Sequence, residues 1–220
     1  LWTLLLAIPL PLLMGLVGWA LDQTTGPSDW LRGFAGGLKL AAQAALGMVF
    51  LAAVCLPGGL GDSHFGWNQE TLIRFRTAVY RFLAVYIPAL LITSSCVYGS
   101  ASAYFDSLGR ICFILAHAWS ALILWQLLQG SNGILATFAR EHPTGFINRG
   151  RHLWSLLLLA VPILLVILAC LGYVISAAEF SLGLLRTVTL IAGGCVSYGL
   201  ALRWFTMKAR RLALSDAIER

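Results

Sequence analysis

Few side chains in this chain could do chemistry within an apolar environment. His117 is the single imidazole inside a long apolar run, and Lys39 is the single lysine about two turns into one. A proton relay or a membrane enzyme places several ionisable groups together at such positions despite their cost. His117 has no carboxylate in its own segment, so we predict that it forms a hydrogen bond to a neighbouring helix. Lys39 requires a partner of its own.

Other patterns that carry catalysis or metal binding are missing from the sequence. The nine acidic residues all fall outside the predicted spans. His64 has no Cys or His at metal-ligand spacing, and the glycines at residues 58–61 lack the strand and the Lys-Ser/Thr of a phosphate loop. The five cysteines are odd in number and widely spaced. We therefore predict no catalytic residue, no metal, no cofactor and no enzymatic activity.

Six long apolar runs dominate the chain. Hydrophobic residues make up 59% of it and charged residues 11%, which is more apolar surface than a soluble core of this size can bury. Each run is near the roughly 20 residues that a helix needs to cross a bilayer. We predict an all-α, polytopic transmembrane helical bundle with short interfacial helices, one of them at residues 132–140. About six spans are expected, at residues 1–21, 34–56, 78–99, 111–128, 153–174 and 184–202.

The cations are unevenly shared between the two sets of loops. Each loop takes the number of the predicted span that it follows. Of the 15 Lys and Arg residues, only Arg32, Lys39, Arg110 and Arg186 lie on the side of the odd-numbered loops. The positive-inside rule therefore predicts that the even-numbered loops and the C terminus are cytoplasmic. Arg186, near the start of the last predicted span, is expected to snorkel to the interface. Topology and anionic lipids explain the net charge of +6 better than a nucleic-acid partner does.

The C-terminal segment is the most basic part of the chain. We divide the sequence into a six-span transmembrane domain at residues 1–202 and a basic cytoplasmic helix at residues 203–220 that leads to a linker. Membrane lipids are the predicted partners of this helix. The cations expected to contact lipid headgroups are Arg203, Lys208, Arg210 and Arg211.

A stripe of small residues runs along the second predicted span. Gly33, Gly37, Ala41 and Ala45 recur every four residues and so share one helix face. Small residues let two membrane helices approach closely. We predict that this stripe packs against another helix, and a pore-lining role is the alternative.

The loop after the second span carries a family resemblance. Its distinctive residues are Pro57, Gly58, Gly59, His64, Phe65, Gly66 and Trp67. This loop resembles the PGG…HFGW stretch in the inner-membrane domain of the large MscS-type mechanosensitive ion channels, of the potassium-dependent and miniconductance kind. Residues 210–220 are similar to the arginine-rich exit from that domain. The order of the spans also agrees, so the resemblance covers essentially the whole chain.

The resemblance implies a homo-heptameric channel of the bacterial inner membrane, opened by bilayer tension during hypo-osmotic shock. The pore-lining helix and the cytoplasmic vestibule of that family have no counterpart in these residues. The chain is therefore predicted to be a peripheral, tension-coupling domain without its own pore, attached to the channel module of the same parent chain. Because it starts at Leu1 without a signal-peptide pattern, we expect a piece of a longer protein.

Two other functions compete with this prediction. A small-solute transporter or permease subunit predicts an internal repeat and polar groups at the midplane. Only His117 and Lys39 are candidates for such groups. A polytopic membrane enzyme requires clustered Asp, His or Glu at one interface, and acids are sparse near His64 and His142.

Overall fold

The computed structural model of the chain describes residues 5, 8–24, 26, 28–56, 68–98, 105–128 and 151–218, with the backbone alone at residues 98, 105, 106, 151 and 209–218. This part of the chain is helical apart from short turns, and it contains no strand. The predicted all-α class is confirmed. The elements are α1 (Pro9–Asp22), α2 (Asp29–Val54), α3 (Gln69–Tyr98), a π-helical turn (Phe105–Gly109), α4 (Arg110–Leu128), α5 (Arg151–Cys170) and α6 (Val174–Ile218).

Five of these helices, α2 to α6, are long and apolar enough to cross a membrane, and α1 is a shorter apolar helix. The 14 residues of α1 extend about 21 Å at 1.5 Å per residue. The hydrocarbon core of a bilayer is about 30 Å thick. Helix α1 itself is therefore shorter than the hydrocarbon core is thick. The predicted interfacial helix at residues 132–140 lies outside the described residues.

Short polar residues cap the start of two helices. The Ser28 hydroxyl accepts a hydrogen bond from the Leu31 N–H at 3.4 Å and caps α2. The Asn68 Oδ1 atom accepts one from the Glu70 N–H at 3.0 Å at the start of α3. Each cap satisfies a backbone donor that has no partner within the helix.

The turn between α5 and α6 is much shorter than the sequence analysis predicted. The predicted loop reached from residue 174 to residue 184, but α6 already begins at Val174. Gly172 has a φ angle of 99°, which is accessible mainly to glycine. The Tyr173 N–H bonds to the Leu168 carbonyl at 3.0 Å, as in the Schellman ending of a helix. Glu179 consequently lies within α6 instead of in a loop.

The helices pack largely in chain order around α2. α1 contacts α2, α2 contacts α3, α3 contacts α4 and α4 contacts α5, while α6 returns to contact α2, α4 and α5. In the most apolar stretch of α2, 61% of the residues are buried, against 17% in α5 and in α6. The buried residues of α2 are mainly Gly and Ala. Helix α2 is thus the central helix, and α5 and α6 lie at the outside.

Helix α6 is continuous over 45 residues. It passes through the predicted boundary between residues 202 and 203 without a break. From residue 200 to residue 208 every position is exposed. The division of the chain at this point stays a prediction, because the backbone itself does not mark it.

Candidate functional site

Gly37, one residue of the small-residue stripe of α2, lies against α3. All four residues of the stripe, Gly33, Gly37, Ala41 and Ala45, are buried. A Cβ atom added to Gly37 would lie 2.7 Å from the Ser94 Oγ atom and 3.2 Å from a backbone oxygen of α3. Such distances are shorter than van der Waals contact, so a larger residue at Gly37 must push α3 away.

Two further glycines form close contacts that the stripe did not predict. A Cβ atom at Gly47 would lie 2.6 Å from the Thr189 Cγ2 atom of α6. A Cβ atom at Gly18 of α1 would lie 3.0 Å from the Ala35 carbonyl oxygen. Close contacts with α1, α3 and α6 therefore lie on different faces of α2. Gly47 falls outside the four-residue spacing of the stripe, so a search along one face does not find it.

His117 joins three helices through a buried polar cluster. Only 4% of its surface is exposed. The Nε2 atom lies 2.8 Å from the Ser181 Oγ atom of α6, and the Nδ1 atom lies 2.9 Å from the Phe113 carbonyl oxygen. The Tyr86 hydroxyl of α3 lies 3.3 Å from the same Ser181 Oγ atom. The predicted hydrogen bond from His117 to a neighbouring helix is confirmed.

The Phe113 carbonyl sets the direction of this hydrogen-bond chain. A carbonyl can only accept, so the Nδ1 atom of His117 donates to it. The Nε2 atom of the neutral ring then accepts the proton of the Ser181 hydroxyl. The Ser181 oxygen in turn accepts from Tyr86. Every donor in the cluster has a partner, which suits a structural tie between α3, α4 and α6.

A cavity of about 20 Å³ lies beside this cluster and is lined in part by Tyr86, Thr93, His117 and Ser181. It has room for about one water molecule, whereas small-molecule sites occupy about 300–1,000 Å³. No group of three or more His, Cys, Asp or Glu side chains within the described ranges could hold a metal ion. The cluster can therefore hold helices together but does not enclose a solute.

Lys39 pairs with Asp22, the last residue of α1. The Lys39 Nζ atom lies 2.5 Å from the Asp22 Oδ2 atom, and both side chains are over one-third exposed. Pairing with a carboxylate lowers the cost of placing the Lys39 charge within an apolar span. The ion pair supplies the partner that Lys39 required and ties the end of α1 to α2.

Arg186 lies deeper than the sequence analysis predicted. Because α6 begins at Val174, Arg186 is more than three turns into the helix, roughly 18 Å from its start. The expectation that it lies at the edge of a span is wrong. Its side chain is exposed and donates a hydrogen bond to the Gln43 Oε1 atom of α2 at 3.4 Å. Gln43 is also exposed and lies near the middle of α2.

The predicted lipid-contacting cations lie on the exposed C-terminal part of α6. Arg203 and Lys208 are both exposed, and the Lys208 Nζ atom lies 4.3 Å from the centre of the Trp204 ring. This distance is that of a cation–π contact. The side chains of the other two predicted cations, and the whole family-motif loop, lie outside the described residues: Arg210, Arg211, Pro57, Gly58, Gly59, His64, Phe65, Gly66 and Trp67.

The sequence of the chain matches a known family over its full length. Residues 1–220 match the family described as "Mechanosensitive ion channel inner membrane domain 1". The chain belongs to this family. The predicted resemblance to the inner-membrane domain of MscS-type channels is confirmed, and the family is one of channel domains, not of enzymes. With its apolar helices, membership indicates a multi-pass protein of the inner membrane.

This mechanosensitive-channel domain is also similar to a curated full-length protein. It is 24% identical over 223 residues to the miniconductance mechanosensitive channel MscM of Escherichia coli (strain K12). The alignment covers 100% of the chain and 19% of MscM, so the chain spans about a fifth of the length of this relative. No solved structure matches the chain.

Proposed function

We propose that this domain is the peripheral, tension-coupling part of a mechanosensitive channel that protects a bacterial cell against hypo-osmotic shock. It has no pore of its own and acts on the channel module of the same parent chain. The observation that carries this proposal is the unequal burial of the helices. Helix α2 is mostly buried, whereas α5 exposes a long surface of large apolar side chains.

The exposed surface of α5 suits contact with lipid. This helix has the highest mean hydropathy of the candidate spans, 2.8, with 17% of the stretch buried. A mismatch between apolar length and bilayer thickness costs fractions of a kcal/mol per Å. When the bilayer thins under tension, this mismatch energy is summed over several helices and subunits. The total is enough to shift a two-state equilibrium. Its exposed large side chains include Leu153, Leu156, Leu157, Ile163, Leu164 and Ile167.

The packing around α2 favours this function over the small-solute transporter. The contacts of Gly18, Gly37 and Gly47 leave α2 no room to line a path on those faces. The cavity beside His117 has a volume of about 20 Å³, too small for a solute. A transporter binds its substrate between helices near the midplane, and ion channels line a path with carbonyl or charged rings.

Patch recordings from liposomes test the proposed function. The purified domain is compared with the complete channel, and with the same channel lacking residues 1–220. We expect no stretch-activated current from the domain alone. Its deletion should keep the conductance of the channel and change the tension threshold. Reproducible currents from the domain alone would contradict the absence of a pore, and an unchanged threshold after deletion would contradict the coupling role.

We also propose that the C terminus and the even-numbered loops are cytoplasmic, from the distribution of Lys and Arg. Ser28 and Asn68 suit a test because both are exposed and both cap a helix. Ser28→Cys and Asn68→Cys each lose a cap worth about 1 kcal/mol, so they form a matched pair in a background without the native cysteines. A membrane-impermeant maleimide added to spheroplasts should label Ser28→Cys and spare Asn68→Cys. The opposite labelling pattern means that the domain has the inverse orientation.

The remaining sequence predictions complete the proposal. In the cytoplasmic leaflet, Arg203 and Lys208 attract anionic headgroups, an effect worth about 1 kcal/mol for each cation. Arg210 and Arg211 continue this basic segment. The complete channel is a homo-heptamer, as the family resemblance implied.

A further inference from the structure

Contacts along α2 establish the depth of Arg186 in the bundle. The ion pair of Lys39 lies near the end of α1. Gln43, the hydrogen-bond partner of Arg186, is one turn further along α2. One turn further along α2, Gly47 is in close contact with Thr189 of α6. Arg186 is therefore held within the apolar length of both helices, and Gln43 is still roughly 16 Å from the C-terminal end of α2.

An exposed guanidinium at this depth is unfavourable next to lipid. Arginine stays charged and has five N–H donors, and a charge in hydrocarbon carries a large free-energy penalty. Within the described residues, the acceptor for Arg186 is the amide oxygen of Gln43, which is itself exposed. Intramembrane charges commonly face protein or a water-filled space and mark functional contacts.

The face of α6 that carries Arg186 also differs from the exposed face of α5. Its residues recur every three or four positions and are mostly small or polar, and Cβ atoms built at Gly183 and Gly194 meet nothing within 4 Å. Small residues at this spacing are typical of close helix–helix contacts in membranes. The exposed face of α5 consists instead of large Leu and Ile side chains. The exposed residues of this α6 face are Glu179, Gly183, Arg186, Thr187, Leu190, Gly194, Ser197 and Ala201.

We propose that this face of α6, together with Gln43, docks against a transmembrane helix of the channel module, which places a carboxylate opposite Arg186. The inference rests on the proposed function, because it takes the chain to be one domain of a longer channel. The alignment covers 19% of MscM, so that relative has ample further sequence for such a helix. A carboxylate forms paired, charge-assisted hydrogen bonds with a guanidinium, which removes the penalty of the buried charge.

A second copy of this domain is less suited to supply that carboxylate than a helix of the channel module. Copies in one membrane share the same orientation, so their acidic residues lie at the same depths. Along α6 the acid nearest to Arg186 is Glu179, about 10 Å away in depth. Asp22 lies about one turn of α2 from Gln43 in depth, but its carboxylate is paired with Lys39 of its own copy. The other acids of the described helices lie closer to helix ends: Asp29, Glu70 and Asp216.

Site-specific photo-cross-linking in the complete channel tests this docking. The photoreactive residue p-benzoylphenylalanine replaces Thr187 in one variant and Leu157 in a control. Both native residues are exposed, and each lies about 20 Å along its helix from the turn that joins α5 and α6. After irradiation in native membranes, mass spectrometry identifies the cross-linked peptides. We expect position 187 to yield a transmembrane peptide from outside residues 1–220, and position 157 to yield none.

Each other result overturns the inference. A peptide from within residues 1–220 of a second copy would make this face a contact between copies. Lipid adducts alone, or equal yields at positions 187 and 157, would make it a lipid-facing surface. The cross-link is measured without tension, so it is independent of the patch recordings. The domain can set the tension threshold without docking through α6, and it can dock through α6 without setting the threshold.

Variants of Arg186 separate the charge from the shape of the face. Arg186→Leu should lower the cross-linking yield at position 187 about fivefold through loss of interhelical hydrogen bonds, whereas Arg186→Lys should keep most of it. The thermal unfolding of the isolated domain serves as the control for folding. It should shift only slightly in both variants, because Arg186 contributes one long hydrogen bond, to Gln43, within the described residues. An undiminished yield in Arg186→Leu would contradict the paired carboxylate.

Discussion

Replacing Gly37 by leucine is expected to lower the free energy of unfolding of the domain by about 3 kcal/mol. The added Cβ atom alone would lie 2.7 Å from the Ser94 Oγ atom, and the rest of the side chain would extend into α3. Since α2 is the central helix, the separation of α2 from α3 should also loosen its contacts with α1 and α6. Unfolding titrations with SDS in mixed micelles, followed by tryptophan fluorescence, measure the change.

Gly183→Leu is the matched control for this experiment. A Cβ atom at Gly183 meets nothing within 4 Å, and the position lies inside α6 as Gly37 lies inside α2. Both substitutions gain roughly the same helix propensity, about 0.8 kcal/mol, so their difference isolates the steric effect. If Gly37→Leu proves as stable as Gly183→Leu, the stripe of α2 does not determine the contact with α3.

His117→Ala is expected to destabilise the domain by about 3 kcal/mol. The substitution leaves a cavity where a ring was packed, and it removes the acceptor of the Ser181 hydroxyl at 2.8 Å. Tyr86→Phe removes only the longer contact of 3.3 Å and should cost less than about 1 kcal/mol. The same SDS titration measures both variants.

A double-mutant cycle separates the hydrogen bond from the cavity. His117→Ala and Ser181→Ala are measured singly and together, and we expect a coupling free energy of about 0.5–1.5 kcal/mol. Additive effects of the two substitutions would mean that the bond between α4 and α6 contributes nothing to stability. The cluster would then be only a means of satisfying buried polar groups.

Both sets of variants address the rigidity of the domain's interior. The contacts of Gly37 and Gly47 and the His117 cluster join α2, α3, α4 and α6 into one packed unit, whereas α5 lies at the outside and exposes large apolar residues. A packed interior changes shape by discrete rearrangement more readily than by continuous deformation. We therefore expect variants that loosen the interior to make the opening of the complete channel less sensitive to tension.

Local properties of the sequence were sufficient to predict the class of this protein. The length of an apolar run, the sign of the charges beside it and the types of residue in a loop can all be read without knowing which helix meets which. They predicted the helical membrane class and the channel family, and both are confirmed. Periodicity also put Gly33, Gly37, Ala41 and Ala45 on one face of a helix. It could not say that α3 is the helix on that face.

The helix boundaries near Gly172 were harder to predict. The sequence analysis placed the acid Glu179 outside the apolar spans and started the last span at residue 184. In the structure, a tight Schellman turn at Gly172 lets α6 begin at Val174, and Val174 and Ala177 are buried in the core beside α4 and α5. Burial of this first helical turn depends on contacts with α4 and α5, which the apolar length of the last span does not reveal.

Tertiary structure alone decided which polar groups meet. His117 and Ser181 are 64 residues apart, and Gln43 and Arg186 are 143 residues apart. No local pattern links such residues, because their contact depends on the order in which the helices surround α2 and on their relative depths. That order follows from the packing of the whole bundle: α6 contacts both α4 and α2, which brings Ser181 to His117 and Arg186 to Gln43.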